Sequence, residues 1–297
     1  MASSHNRFAS PAKVNFGLRI LGKRLDGYHA IQTIFQMLDL CDWLSFRTHD
    51  EALIQLSCMP STLPADDRNL VVRAAKLLQQ AMQVRKGVEI TLEKHIPIAA
   101  GLGGGSSDAA TTLLALNSVW ELDCPMTTLH GLAAQLGSDV PFFLNGPTAV
   151  AAGRGEVLSP VCPPPPLTGV LVNPGFGVSA GWAYEQFNGQ SSATDLTISG
   201  VVQSLQNRDL TLLAEVMVND LELGVATVYP VIRQAREALC AVGAQVTFMS
   251  GSGPTVVGLF PPAVDLQAAI TSLHRGSTWT LVPFTTLSKS PHPELRG

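Results

Sequence analysis

Hydrophobic and polar positions alternate almost from the start of the chain. From Ala12 to Ile20, Val14, Phe16, Leu18 and Ile20 fall on one side and Lys13, Asn15, Gly17 and Arg19 on the other, the period of a half-buried β-strand. Lys13 and Asn15 then share a face. Asp26-Gly27 marks a turn, and Ile31 to Leu38, Trp43 to Thr48 and Ala52 to Cys58 read as three further strands. The period then changes. Asn69 caps a helix over NLVVRAAKLLQQAM, with Leu70, Ala74, Leu77 and Ala81 on its apolar stripe. VEITLEKHIP returns to strand alternation. Lys94 continues the apolar face of Val88, Ile90 and Leu92, so its charge either snorkels to solvent or meets a partner.

A loop, GLGGGSSDAA, then opens a helix with the stripe Ala109, Leu113, Leu116 and Trp120, and a third helix, Thr128 to Leu136, ends at Gly137. Four prolines, Pro163 to Pro166, fit neither a helix interior nor a central strand, and the domain boundary is placed there, between 1–160 and 161–297. The second half predicts a strand (Thr168 to Asn173), a helix around Ala180 to Phe187, and helices over Leu210 to Leu223 and Val228 to Val242. Two strands flanking SGSGP, a helix (Val264 to His274) and a last strand (Trp279 to Leu287) complete a ferredoxin-type α+β half. Asn188 to Ser199 reads as a mobile surface loop.

Length and composition narrow the class. The 297 residues suit two domains, and 46% hydrophobic against 14% charged residues indicates a large core under a sparsely charged surface. A net charge of −4 gives no electrostatic reason to expect nucleic acid. Five scattered cysteines without a CxxC pair argue against zinc and against a disulfide framework. No apolar run is long enough for a bilayer, and the N-terminal residues carry no apolar signal core. A cytoplasmic protein is expected, or one of the plastid stroma if a longer precursor exists.

The glycine loop carries the chemistry. Four of the five residues from Gly101 to Gly105 are glycine, and Ser106, Ser107 and Asp108 follow. Glycines let an anion approach the backbone amides, a helix start adds unpaired N–H groups, and the serines add hydroxyls. No loop lysine is present, so other side chains and Mg²⁺ must share the phosphate charge. A plain capped turn needs one glycine rather than four; Asp108 reads as a helix-start residue.

PIAAGLGGGSSDAA resembles the phosphate loop of the GHMP small-molecule kinases, those of galactose, homoserine, mevalonate and phosphomevalonate among them. SPAKVNFGLRILGKRLDGYHAIQTIF, DRNLVVRAA, LGSDVPFFLNG, AAGRGEVL, NDLE…VYP and MSGSGPTVVGLF agree in family order, so the resemblance runs from about Ser10 to about Phe260. Within the family, GGGSSDAA is similar to the branch that phosphorylates the 2-hydroxyl of a cytidine-diphosphate-linked methylerythritol for isoprenoid synthesis. The resemblance implies an α+β two-domain fold. Its N-terminal ATP-binding domain is of ribosomal-protein-like α/β type, its C-terminal domain is ferredoxin-like, and a deep cleft separates them. It implies ATP and Mg²⁺ as cofactors, with metal ligands unassigned, and a monomer or weak homodimer.

Carried over residue by residue, the resemblance puts ATP phosphates at Gly101, Leu102, Gly103, Gly104, Gly105, Ser106 and Ser107, and the nucleotide base near Asn69, Leu70 and Lys94. The catalytic pair is Lys13 and Asp139, with Asn15 holding the acceptor. Tyr28, His29 and Phe35 match the cytidine pocket, with Tyr184 as a second stacking ring, and Gly251, Ser252 and Gly253 close over the phosphates. On the residues alone, Asp139 also reads as a helix cap before Pro141, Tyr28-His29 as surface, Phe35 as core and SGSGP as a plain hairpin. Two departures stand out: Ala180 replaces a hydroxyl residue, and Arg154 is bulkier than the apolar residue expected there. The alternatives are another GHMP small-alcohol kinase of homoserine or mevalonate type, or a non-catalytic sensor of the same fold.

Overall fold

The computed structural model describes residues 6–189, 197–292 and 295. The first half runs β1 (Asn6–Lys23), β2 (His29–His49), β3 (Ile54–Met59), α1 (Leu70–Ala81), β4 (Gly87–Glu93), α2 (Gly104–Val119), α3 (Met126–Leu136), α4 (Val140–Asn145), β5 (Thr148–Gly153) and β6 (Val157–Pro160). The second half runs β7 (Thr168–Asn173), α5 (Ala180–Glu185), α6 (Ile198–Asn207), α7 (Leu210–Val216), α8 (Glu222–Val228), α9 (Val231–Ala241), β8 (Val246–Met249), β9 (Val256–Leu259), α10 (Leu266–Gly276) and β10 (Thr280–Thr285).

The long β2 is the spine of the first sheet. β1 runs antiparallel along it, while β4 pairs with its residues Trp43 to His49 and β5 with Ile31 to Gln36. β3 extends the sheet in parallel beyond β4, and β6 extends it beyond β5. The second sheet has the order β10-β7-β9-β8, all antiparallel. With α9 and α10 as its crossovers this is the ferredoxin arrangement, so the α+β expectation is met.

One apolar cluster gathers the first sheet with α1 to α4, and another fills the second half. A third joins the halves: Val14, Phe16 and Ile34 of the first sheet pack with Leu171, Phe248 and Val257 of the second. The Phe16 and Phe248 rings lie 5.6 Å apart. β1 is therefore covered on both faces, and Lys13 and Asn15 are buried where alternation predicted a half-exposed strand.

The two strands expected over Ile31 to Leu38 and Trp43 to Thr48 are one. Asp39 and Asp42 between them look like a break, but both carboxylates accept backbone hydrogen bonds from other segments. Thr285 donates to Asp39 at 2.8 Å, and His95 and Ile96 to Asp42 at 2.6 and 2.8 Å. In α1 the cap is Asn69 as expected, accepting from the Val71 N–H, but the buried stripe is Val71, Ala74, Ala75 and Leu78, with Leu70 and Leu77 at its flank. α2 is buried around its whole circumference, which no single stripe describes.

The helix expected over Leu210 to Leu223 is broken. The backbone at 217–220 runs beside β1, where Leu18 donates to the Val218 carbonyl at 2.7 Å and Asp220 donates to the Leu18 carbonyl at 2.9 Å. Alternation does not reveal α4, β5, β6 or α6. Of the loop expected over Asn188 to Ser199, 190–196 lie outside the described residues, and Ile198 and Ser199 open α6.

Candidate active site

The site begins with a strand that cannot slide. The Lys13 N–H donates to the Leu102 carbonyl at 2.9 Å, tying β1 to the glycine loop. The Lys13 ammonium donates to Asn15 Oδ1 at 2.6 Å, lies 3.3 Å from Asp139 Oδ2, and stands 4.7 Å from the centre of the Phe35 ring. Asn15 in turn donates through Nδ2 to Thr33 Oγ1 at 3.1 Å. Lys13 is only 4% exposed, so its charge is held in the cleft by a carboxylate, an amide oxygen and an aromatic face. Phe35 is both core and cavity wall. Asp139 opens α4 but its side chain makes no capping hydrogen bond. Asp139 thus holds the N-cap position that the helix-cap reading expects, but its carboxylate turns to Lys13 and does not cap the helix.

The glycine loop approaches Lys13 from above. Gly103 (φ +69) is the N-cap of α2, and a Cβ there would stand 2.9 Å from Lys13 Cγ and 3.0 Å from Phe143 Cζ. The helix starts at Gly104, so the serines lie inside its first turn and are not caps. They differ. Ser107 is fully buried and accepts a 2.8 Å hydrogen bond from Ser10, whereas Ser106 is half-buried with no side-chain partner among the described residues. Ser106 is therefore the hydroxyl free to meet a ligand. Leu70 flanks the loop: a Cβ on Gly105 would lie 3.7 Å from it.

Lys94 takes the second of its two expected courses, and Asp108 departs from its own. Lys94 does not snorkel; its ammonium contacts Asp42 and also Asp108, the latter at 2.8 Å, beneath the start of α2. Asp108 is buried and serves this ion cluster rather than the helix dipole. One cation faces two carboxylates, and Asp108 Oδ1 has no partner. Burial, opposed by Lys94 and reinforced by the charge of Asp42, pushes the Asp108 carboxyl up to about 7. Lys94 loses basicity by burial, but the two carboxylates outweigh this and raise it.

Asp108 titrates near 4 when unfolded, so its protonated form favours the fold. That stability is fully present below about pH 4 and is lost as pH rises through about 7. Asp108→Asn keeps the size and removes the titration. The Tm of the variant relative to the parent should rise between pH 5 and pH 8 by a few degrees, on the order of 2 kcal/mol. Thermal unfolding across that range checks this; a difference independent of pH would mean an Asp108 ionised throughout.

A second glycine turn, 250–253, packs on the first. Ser250 donates to the Gly101 carbonyl at 3.0 Å, and Asn219 Nδ2 holds the Met249 and Gly251 carbonyls, each at 2.8 Å. Asp220 accepts from the Ile20 N–H at 2.8 Å. SGSGP therefore joins the two halves at the site, where a plain hairpin would stand clear of it.

The cleft also has an aromatic wall. His29 and Tyr184 stack with centres 5.3 Å apart and planes 10° from parallel, and Phe187 meets His29 edge-on at 6.3 Å. Tyr28 is 57% exposed, and the Arg154 guanidinium lies 4.8 Å over its ring. Burial and the nearby Asp139 charge hold the Tyr184 hydroxyl above its usual range. These groups, the Lys13–Asp139 pair and both glycine turns line one cavity of about 1030 Å³. Asn69, Leu70, Lys94, Leu102, Gly253 and the residues 104–107 do not line it.

Comparison with known proteins identifies the family. Residues 69–147 match the GHMP kinases N terminal domain and residues 201–276 the GHMP kinases C terminal domain. The chain is 40% identical over 273 residues to the 4-diphosphocytidyl-2-C-methyl-D-erythritol kinase of Geobacter metallireducens, covering 92% of this chain and 95% of that one. It is 44% identical to that of Prosthecochloris aestuarii, covering 88% and 91%. This chain belongs to the 4-diphosphocytidyl-2-C-methyl-D-erythritol kinase family of GHMP kinases.

A crystal structure of 4-(cytidine 5'-diphospho)-2C-methyl-D-erythritol kinase superposes with TM-score 0.81 at 34% identity, over 94% of this chain and 98% of that one. A homoserine kinase from Cytophaga hutchinsonii shares the fold, with TM-score 0.73 at 17% identity over 97% and 96% of the two chains. Several residues that build this kinase's site, some of them inside the motifs quoted above, have roles that the sequence does not show. Ser10, Thr33, Asp42 and Phe187 act through partners far along the chain. Asn219 and Asp220 stand in a recognised motif, but their roles at the turn and at β1 follow only from the three-dimensional contacts.

Proposed function

We propose that the Lys13–Asp139 contact at the base of the cavity is the phosphoryl-transfer centre of this ATP-dependent kinase. The reaction is transfer of the γ-phosphoryl group of ATP to the 2-hydroxyl of 4-diphosphocytidyl-2-C-methyl-D-erythritol, giving the 2-phosphate and ADP for isoprenoid synthesis. One observation carries the reading. A single cavity is lined by a carboxylate–lysine pair, by glycines of two turns and by a stacked His29–Tyr184 pair. Its volume suits a nucleotide-linked acceptor and exceeds what a four-carbon alcohol fills.

Asp139 accepts the hydrogen bond of the acceptor hydroxyl and takes its proton as the bond to phosphorus forms. Lys13, 3.3 Å from that carboxylate, holds it in place and offsets charge on the moving phosphoryl oxygens. Asn15, fixed by Lys13 and Thr33, orients the acceptor. The amides of 101–106 receive the phosphates at the start of α2, with Asn69, Leu70 and Lys94 supporting the nucleotide side of the loop. Gly251, Ser252 and Gly253 cover them from the second half. Tyr28 and His29 take the cytosine, with Phe35 and Tyr184 walling its pocket. In this scheme 1–160 is the ATP-binding and catalytic domain and 161–297 the domain that completes the acceptor site.

Among the described residues no group of three or more His, Cys, Asp or Glu side chains forms a metal site. Mg²⁺ carried on ATP phosphates needs only one or two protein oxygens. The half-buried Ser106 hydroxyl at the start of α2, with no side-chain partner among the described residues, fits that need. Bound there, the ion would supply neutralisation of phosphate charge. No helix among the described residues is long and apolar enough to cross a membrane. A cytoplasmic enzyme acting as a monomer or weak homodimer is the working picture.

The test is ADP release with four acceptors: the cytidylyl substrate, mevalonate, homoserine and galactose. Turnover with the cytidylyl substrate alone is expected. Faster turnover with any of the others would replace this reading by another GHMP activity, and none with all four would favour a non-catalytic sensor.

A further inference from the structure

Arg154 has a guanidinium whose Nε makes no hydrogen bond. It sits at the tip of the β5–β6 hairpin and lines the same cavity. The Nε is buried, and a buried donor left open calls for a reason. Glu156 does not supply one. Its Oε2 is taken by the Arg154 backbone N–H at 2.5 Å, and its Oε1 stays 3.7 Å from Nε, beyond hydrogen-bond reach. The guanidinium instead lies 4.8 Å over the Tyr28 ring. Such stacking fixes the plane of the fork without using its N–H groups.

The position of Arg154 matters as much as its charge. Through its side chain it meets Tyr28, on the aromatic wall of the cleft. Through the next residue it meets the reacting groups: a Cβ on Gly155 would lie 3.5 Å from Asp139 Oδ1 and 3.5 Å from Phe35. Arg154 therefore stands between the place for the base and the place for the hydroxyl. In a cytidine-diphosphate-linked alcohol the group between those two is the diphosphate. Five charged side chains line the cavity: Lys13, Lys23, Asp139, Arg154 and Glu185. Lys13 is engaged by Asp139, and Lys23 is exposed at the end of β1. Arg154 is the half-buried cation that, though ion-paired with Glu156 at 3.7 Å, has a buried Nε with no hydrogen-bond partner.

We propose that Arg154 reads the diphosphate of the acceptor. Held flat against Tyr28, it forks onto phosphate oxygens and selects a nucleoside-diphosphate acceptor over a nucleoside or a simple alcohol. This rests on the cytidine-linked reading above, and deepens it by assigning a specificity residue.

Calorimetric titration of the full chain with CDP and with cytidine tests it, the donor side being filled by a non-hydrolysable ATP analogue. The parent should bind CDP at least roughly tenfold more tightly than cytidine, as a charge-assisted fork requires. Arg154→Gln should bring the two within about threefold by weakening CDP alone, and Arg154→Lys should fall between, keeping charge without the fork. Three results would overturn the proposal: equal binding of the two probes by the parent, a preference that survives in Arg154→Gln, or equal losses of both probes, which would leave Arg154 only a prop for Tyr28. If the parent bound neither probe, the cytidine-linked reading itself would fail and the proposal with it. Circular dichroism of each variant establishes that the hairpin change has not unfolded the chain.

Discussion

Asp139→Asn should lower kcat with the cytidylyl acceptor by roughly 10²- to 10³-fold, the usual worth of a positioned general base. The geometry makes this substitution clean. The Asp139 side chain makes no hydrogen bond to the start of α4, so removing its charge does not uncap the helix. An amide fits the same space beside Lys13 and still offers an oxygen to its ammonium. Lys13 also keeps its 2.6 Å bond to Asn15, so the buried cation is not stranded. What the amide cannot do is take a proton. The loss should therefore appear in kcat, while KM for ATP changes by less than about threefold, because the carboxylate faces the acceptor side of the loop. Steady-state kinetics with varied ATP and varied acceptor separate the two. Turnover within about threefold of the parent would remove Asp139 from the role of base and leave positioning and charge to do the chemistry.

The site is legible where chemistry follows from a contiguous stretch. The run Gly101 to Ser107 reads as a phosphate cradle by residue type alone, and the alternation around Lys13 puts its charge beside Asn15. The α+β class follows from element order, and the resemblance supplies the cleft. Illegible features share a physical cause: a polar group whose partner is remote in sequence looks local. Asp42 reads as a break between strands because its partners, Lys94 and the His95 and Ile96 amides, lie some fifty residues on. Asp108 reads as a helix-start acid for the same reason. Periodicity carries the helix predicted from Leu210 to Leu223 straight through 217–220. Only the backbone of Leu18 says that this segment must be extended. Ser106 and Ser107 are adjacent and chemically alike, yet Ser10 occupies one and leaves the other open.

Gly101→Ala should disable the enzyme as thoroughly as removal of the base, by a different route. Gly101 has φ +76, where an L side chain is strained by about 1–2 kcal/mol. Its added Cβ would also stand 2.1 Å from the Ser250 carbonyl oxygen and 3.1 Å from the Gly253 nitrogen. These are backbone atoms of the opposing turn, itself pinned by the bonds from Asn219 and by Ser250 to the Gly101 carbonyl. Neither side yields as a flexible side chain does, so the two glycine turns must part. Parting them opens the seam between the halves and moves the Leu102 carbonyl that holds Lys13.

The expected result is a fall in kcat/KM for ATP of roughly 10²-fold or more, since small misplacements at a reacting centre carry penalties of that size. Several degrees of Tm should go with it. Gly105→Ala is the control for stability. Residue 105 has no positive φ and its nearest neighbour is Leu70 at 3.7 Å, so alanine in that helical turn should hold or raise Tm. Melting curves of both variants beside the parent decide the matter. Equal behaviour of the two alanines would mean that the turns do not depend on their close approach, and that the loop works as an independent cradle.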